Sequence, residues 1–165
     1  MELVGALEHD LVAHARACLP EEACGLIAGK DGRAVRIVPM RNVDRSASTY
    51  RLDPAEQLAA FDAIERDGFE LLAIYHSHPA GPAAPSDLDL RLAFYPDVRY
   101  VIVSLEEPER PTVRAFRIAD GRAVEEAVER GKQLAGEVLV GAIAVGAVEQ
   151  RLCRGPRGLD QPLAV

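Results

Sequence analysis

Apolar and polar positions recur along this chain at two periods, and the period sets each expected element. Within residues 7–19, Leu7, Leu11, Ala15 and Cys18 follow one another at steps of three and four, which gathers them on one face of a helix; Pro20 ends it. Residues 24–29 are a short apolar run that reads as a buried strand. Asp31-Gly32 is a hairpin signal, and residues 33–40 alternate charged and apolar positions, as a half-buried returning strand does. Residues 41–51 are polar and irregular. Pro54 then opens a helix reaching to about residue 67, with Leu58, Phe61 and Ile64 or Glu65 following the turn and Gly68 stopping it. Residues 70–75 form a continuous apolar strand that runs into His76-Ser77-His78-Pro79. A Gly/Pro-rich loop (80–85), a short helix (86–94), a buried strand (100–105), an alternating strand (112–118) and a second hairpin signal, Asp120-Gly121, follow. This order predicts a mixed α/β fold with a curved central β-sheet flanked by helices. Beyond residue 125 the pattern is least legible. The Gly/Ala/Val-rich stretch 138–148 reads equally as an interface helix, an added strand or a partly disordered segment.

A chain of 165 residues has the size of one domain and can bury a core without disulfide or metal staples, so a metal here is expected to be catalytic rather than structural. With 26 acidic against 19 basic side chains the formal net charge is −7, which argues against nucleic acid as a partner. Arg151, Arg154 and Arg157 cluster in a Gly/Pro-containing tail that reads as solvated. Cys18, Cys24 and Cys153 match neither a zinc knuckle nor a disulfide framework and are expected to be free thiols in a reducing compartment. No signal peptide and no apolar stretch long enough to span a bilayer are visible, so the expected location is cytoplasmic, away from membrane.

His76 and His78 stand two apart at the end of a strand, so their imidazoles point to one side while Ser77 points to the other. Pro79 stops ladder pairing just beyond them. Ser86 and Asp89 have the Ser-x-x-Asp spacing of a helix capping box, with a carboxylate in the first turn. That reading is compatible with metal binding, because the intervening loop can fold back and bring Asp89 to the histidines. Two imidazoles and one carboxylate leave a tetrahedral metal one open position. The pattern His-x-His-Pro-x6-Ser-x2-Asp fixes the residue at five positions and would arise by chance roughly once in a few million starting positions. Cys24, on an apolar strand, reads as a buried thiol, and His9 and His14, five apart on the first helix, read as surface residues.

The stretch His76-Ser77-His78-Pro79 through Ser86-Asp87-Leu88-Asp89 resembles the signature of the JAMM (MPN+) zinc metalloproteases. Glu21-Glu22-Ala23-Cys24-Gly25-Leu26 resembles that family's glutamate-bearing strand; Asn42 and the stretch 50–54 share in the resemblance, which extends to the strand near Ile118. It implies a compact bacterial-type member with the cytidine-deaminase-like JAMM architecture in residues 1–124, followed by a C-terminal extension over 125–165. It further implies Zn2+ held by His76, His78 and Asp89, Glu22 as general base, and Ser86 helping to stabilise an oxyanion. Glu21 is the rival carboxylate; without the resemblance, Glu22 reads as a solvated residue after a helix. The implied reaction is hydrolysis after the C-terminal Gly-Gly of a ubiquitin-like or sulfur-carrier protein, and homodimer formation is left open. Two alternatives remain beside it, the second from a different class. One is a deubiquitinase-like isopeptidase, for which the short link between Asp89 and the strand near Tyr100 leaves little room for a gripping insertion. The other is a non-catalytic MPN interaction module, against which the intact ligand set speaks.

Overall fold

The computed structural model describes residues 1–131; the expectations for 138–148, for the arginine cluster and for Cys153 lie outside them. In chain order the elements are β1 (Glu2–Val4), α1 (Gly5–Cys18), β2 (Cys24–Lys30), β3 (Arg33–Met40), α2 (Pro54–Arg66), β4 (Glu70–His78), α3 (Asp87–Leu92), β5 (Arg99–Ser104), β6 (Thr112–Ala119), β7 (Arg122–Glu126) and β8 (Glu129–Gly131). The strands form one mixed sheet in the order β7-β6-β5-β4-β2-β3-β1-β8. β4 and β5 run parallel, as do β1–β3 and β1–β8, and the remaining neighbours are antiparallel. Helices cover both faces, so the architecture is the mixed α/β one expected, and strand pairing continues to Gly131.

Both Asp-Gly signals act as hairpin turns. Asp31 (φ 52°) with Gly32 (φ 76°), and Asp120 (φ 51°) with Gly121 (φ 69°), hold two successive left-handed residues, the backbone whose twist matches the flanking strands. Asp53 caps α2, its carboxylate accepting from the N–H groups of Ala55 (2.9 Å) and Glu56 (3.1 Å), with Pro54 in the first turn.

Alternation along the strands splits the core in two. On one face α1 packs Leu7, Leu11, Ala15 and Cys18 against Ile27, Tyr75, Val101 and Val103. On the other, α2 packs Ile64 and half-buried Ala60 and Phe61 among Leu26, Ile74, Tyr100 and Ile102. Leu58 is 62% exposed, against the sequence expectation, because it lies off the face that Ala60, Phe61 and Ile64 define. Gly25 lies opposite Tyr75 in the β2–β4 ladder, and a Cβ there would stand 2.7 Å from the Tyr75 ring. The missing side chain thus makes room for an aromatic ring on the central strand.

Tyr75 leads to a second correction. His14 is fully buried, not a surface residue, because it continues the stripe Leu7, Leu11, His14, Cys18 on the inward face of α1. Its Nδ1 lies 2.9 Å from the Tyr75 hydroxyl and its Nε2 3.4 Å from Cys18 Sγ. Cys24 is a free buried thiol as expected, whereas Cys18 is disulfide-bonded. Burial pushes the His14 pKa down from 6.5 to about 4. The unfolded chain therefore binds a proton between those values that the folded chain refuses. His14 costs nothing above pH 6.5, and stability is lost as the pH falls from about 6.5 to about 4, by roughly 3 kcal/mol in all. Denaturant unfolding of wild type and His14→Gln across that range should show the pH-dependent difference; parallel curves would show that His14 is already protonated in the fold.

Candidate metal centre

The site lies where the central strand ends. His76 and His78 leave β4 on the α2 side of the sheet. Ser77, pointing the other way, accepts a hydrogen bond from Ala23 N (2.8 Å) and donates its own N–H to Ala23 O (2.9 Å). The alternation that directs the histidines to one side thus ties β4 to the residue next to Glu22. The loop 79–85 is held by Ser104, whose hydroxyl donates to Gly81 O (2.6 Å), and by Leu105 N–H donating to His78 O (3.0 Å).

The loop then delivers Asp89. Ser86 caps α3, accepting from Asp89 N–H (3.2 Å) while its N–H (2.7 Å) and hydroxyl (2.6 Å) donate to Asp89 Oδ2, so the capping box read in the sequence is formed. Asp89 Oδ1 comes within 3.3 Å of His76 Nε2, Asp89 Oδ2 within 3.6 Å of His78 Nε2, and the two imidazole nitrogens are 3.1 Å apart. Ligand atoms 2.0–2.1 Å from a tetrahedral zinc stand about 3.3–3.4 Å from one another; these spacings, two of them to different oxygens of Asp89, are near that, and one ligand atom from each residue lies within 4.8 Å of the others. His78 Nδ1 is 2.7 Å from Pro82 O, the second contact by which a ligating imidazole turns its Nε2 lone pair inward. His76 Nδ1 is buried with no hydrogen-bond partner. Burial also lowers the His76 pKa and so favours the neutral, ligating form. Burial by itself would raise the Asp89 pKa, but hydrogen bonds from His76, His78 and Ser86 hold it well below the usual carboxylate range. His76, His78 and Asp89 therefore form a group that could hold a metal ion.

Glu22 is 4% exposed in the link between α1 and β2. Its N–H donates to Ser46 O (2.8 Å), and its carbonyl accepts from Asn42 Nδ2 (3.2 Å). Asn42 also donates to Thr49 O (2.9 Å) and accepts from Asp44 N–H and Arg51 N–H, so one buried amide organises the irregular segment around Glu22. Burial raises the Glu22 pKa from 4.5 to about 7, with the charges of His78 and Asp89 acting on it in opposite directions. Glu21, the rival, is turned outward toward Arg45 (3.5 Å).

Tyr50 is a participant to which the sequence reading assigned no role. Its ring stacks on His76, centroids 4.5 Å apart and planes 18° from parallel. Its signals in the sequence were its place in the stretch 50–54 that shares in the family resemblance and its standing as a lone aromatic in a largely polar loop.

Ser86→Ala separates the cap from any part in the reaction. The cap alone is worth about 0.5–2 kcal/mol of stability. A fall in kcat larger than the accompanying loss of Tm and metal content explains would place the hydroxyl in the chemistry; proportionate losses would confine it to holding Asp89.

A mixed α/β domain whose central strand ends in a His-x-His pair facing a capped aspartate, with a buried glutamate alongside, has the framework of a hydrolytic metal centre. Residues 5–119 match the family described as prokaryotic homologs of the JAB domain. The chain belongs to that family. It is 47% identical over 124 residues to the CysO-cysteine peptidase of Mycobacterium tuberculosis, covering 74% of this chain and 85% of the relative. It is 43% identical over 113 residues to a probable TtuB-protein conjugate cleaving protease of Thermus thermophilus, covering 68% and 72% respectively. Among solved structures, protein DSY2949 from Desulfitobacterium hafniense superposes with a TM-score of 0.75 at 40% identity, covering 81% of this chain and 94% of that one.

Proposed function

We propose that this chain is a zinc-dependent peptidase that hydrolyses the bond following the C-terminal Gly-Gly of a ubiquitin-like or sulfur-carrier protein. The observation that carries the reading is the His76–His78–Asp89 group, which could hold a metal ion, beside the buried Glu22. The relatives' names, one for a CysO-cysteine peptidase and one for a protease of TtuB-protein conjugates, point to the same substrate class.

In this reading His76, His78 and Asp89 hold the ion and Ser86 fixes Asp89. Bound zinc supplies Lewis acidity, bringing the pKa of a water to about 7 and polarising a carbonyl. Glu22 would accept a proton from the attacking water and return it to the departing amine. Burial by itself raises the Glu22 pKa to about 7, and a bound dication beside it would draw it back down toward the charged, proton-accepting form. The Ser86 hydroxyl carries one proton and spends it on Asp89 Oδ2 here, so helping a developing oxyanion would require it to change partner during turnover. Among the described residues no helix is long and apolar enough to cross a membrane.

The test incubates the purified protein with ubiquitin-like proteins extended past Gly-Gly by a cysteine or by an isopeptide-linked lysine, and reads product masses. Cleavage directly after Gly-Gly is expected, with loss of activity on chelation and a fall of at least about tenfold in kcat/KM when Gly-Gly becomes Ala-Ala. The relative rates on the two extensions separate a peptidase from an isopeptidase. Unfolded casein cut as fast as any tailed partner would defeat the substrate assignment.

A further inference from the structure

The two histidines of the metal group are held in different ways. His78 has its Nδ1 2.7 Å from Pro82 O, and that contact fixes the plane of its ring. His76 lacks such a contact: among the described residues its buried Nδ1 has no hydrogen-bond partner. The torsion that turns an imidazole about its Cβ–Cγ bond has only broad, twofold preferences, so the side chain does not set its own plane. Yet His76 Nε2 must stay where it stands, 3.3 Å from Asp89 Oδ1 and 3.1 Å from His78 Nε2, if the three are to share one ion. Tyr50 lies against the ring. The two rings are stacked, centroids 4.5 Å apart and planes 18° from parallel, so a turn of the imidazole would drive its edge into the Tyr50 face.

Tyr50 is itself anchored. The buried Asn42 side chain donates to Thr49 O (2.9 Å) and accepts from Arg51 N–H (3.3 Å), and Val43 N–H donates to Arg51 O (3.0 Å), so the residues on both sides of Tyr50 are pinned. The same amide donates to the carbonyl of Glu22 (3.2 Å). One buried side chain thus steadies both the candidate base and the ring behind His76.

Resting on the metal centre of the proposed function, we infer that Tyr50 is a positioning residue for the ion: its ring face holds the His76 imidazole in the plane that presents Nε2, in place of the hydrogen bond that holds His78. The ring and not the hydroxyl serves, because His76 Nδ1 is unpartnered and Nε2 faces His78 and Asp89. Another flat ring should therefore substitute for Tyr50, and an aliphatic side chain should not.

The experiment titrates zinc into the metal-free full chain against a chromophoric chelator, for wild type, Tyr50→Phe and Tyr50→Leu, and records the cobalt(II) absorption spectrum of each. Tyr50→Phe should bind zinc within about threefold of wild type, and Tyr50→Leu at least about tenfold more weakly. The metal-free Tm values should stay close together, while the cobalt band of Tyr50→Leu alone changes in position or intensity, a sign of altered ligand geometry that lost packing elsewhere would not give. Tyr50→Met, unbranched and flexible, serves if Tyr50→Leu does not fold. Equal zinc affinity and equal cobalt spectra in wild type and the aliphatic variant would overturn the role of Tyr50 and leave the metal centre standing. Tyr50→Phe weakened as far as Tyr50→Leu would overturn it too, by shifting the effect to the hydroxyl. A wild-type protein that takes up no zinc would overturn the metal centre, and the role of Tyr50 with it.

Discussion

Replacing His76, His78 or Asp89 by alanine is expected to abolish hydrolysis while leaving the protein folded. Each supplies one ligand atom of a group in which all three lie within 4.8 Å of one another, and two such residues are too few to retain an ion. The Lewis acidity lost with the ion represents several kcal/mol of transition-state stabilisation, so turnover should fall by about 10³-fold or more. The fold should survive, because the two apolar clusters on either face of the sheet are built from other residues. Metal content by mass spectrometry is the direct readout. A second is independent of activity: zinc binding only the folded state raises Tm, by about 4 kcal/mol of added stability at a thousandfold excess over Kd, and each variant should lose that increment. Full hydrolysis by chelated protein would end the metallopeptidase reading.

Glu22→Gln should give the opposite dissociation, with metal retained and turnover lost. The amide fills the space of the carboxyl but cannot take a proton, and proton transfer by a positioned group is worth about 10²–10⁴-fold. Since burial already disfavours the charged form of Glu22, a neutral replacement should leave Tm unchanged or raise it. Glu21→Gln should be mild, because that carboxylate faces Arg45 at the surface. A reversal of the two phenotypes would mean that the base is Glu21 and that the segment between α1 and β2 rearranges when substrate binds.

Much of this architecture was legible one residue after another. The Asp-Gly hairpins, the Asp53 cap, the Ser86–Asp89 capping box and the alternation of His76, Ser77 and His78 all rest on interactions within a turn or along one strand. Nearness in sequence guarantees nearness in space at that range, and even the metal motif reduces to a strand end, a short loop and a first helical turn. β1 and β8 were not legible. Each has three residues and exists as a strand only because it pairs in parallel with its neighbour, a partnership no local pattern announces. His14 was misjudged for a related reason. A polar residue counted against another histidine looked exposed, and only the packing of α1 on the sheet, with Tyr75 across from it, supplies the partner that makes its burial tolerable. Which glutamate faces the histidines was likewise beyond spacing alone. Adjacent residues in a non-regular link point wherever the chain's anchors send them, and here the anchors are Asn42 and Ser46, with Ser77 holding the neighbouring Ala23. Sequence by itself determined the chemistry of the candidate ligands His76, His78 and Asp89 and the local geometry that presents them; sheet register and loop anchoring, which join residues far apart in the chain, decided that Glu22 is buried beside them and that Tyr50 stacks on His76, since such contacts form only after the chain has met the entropy of closing its long loops.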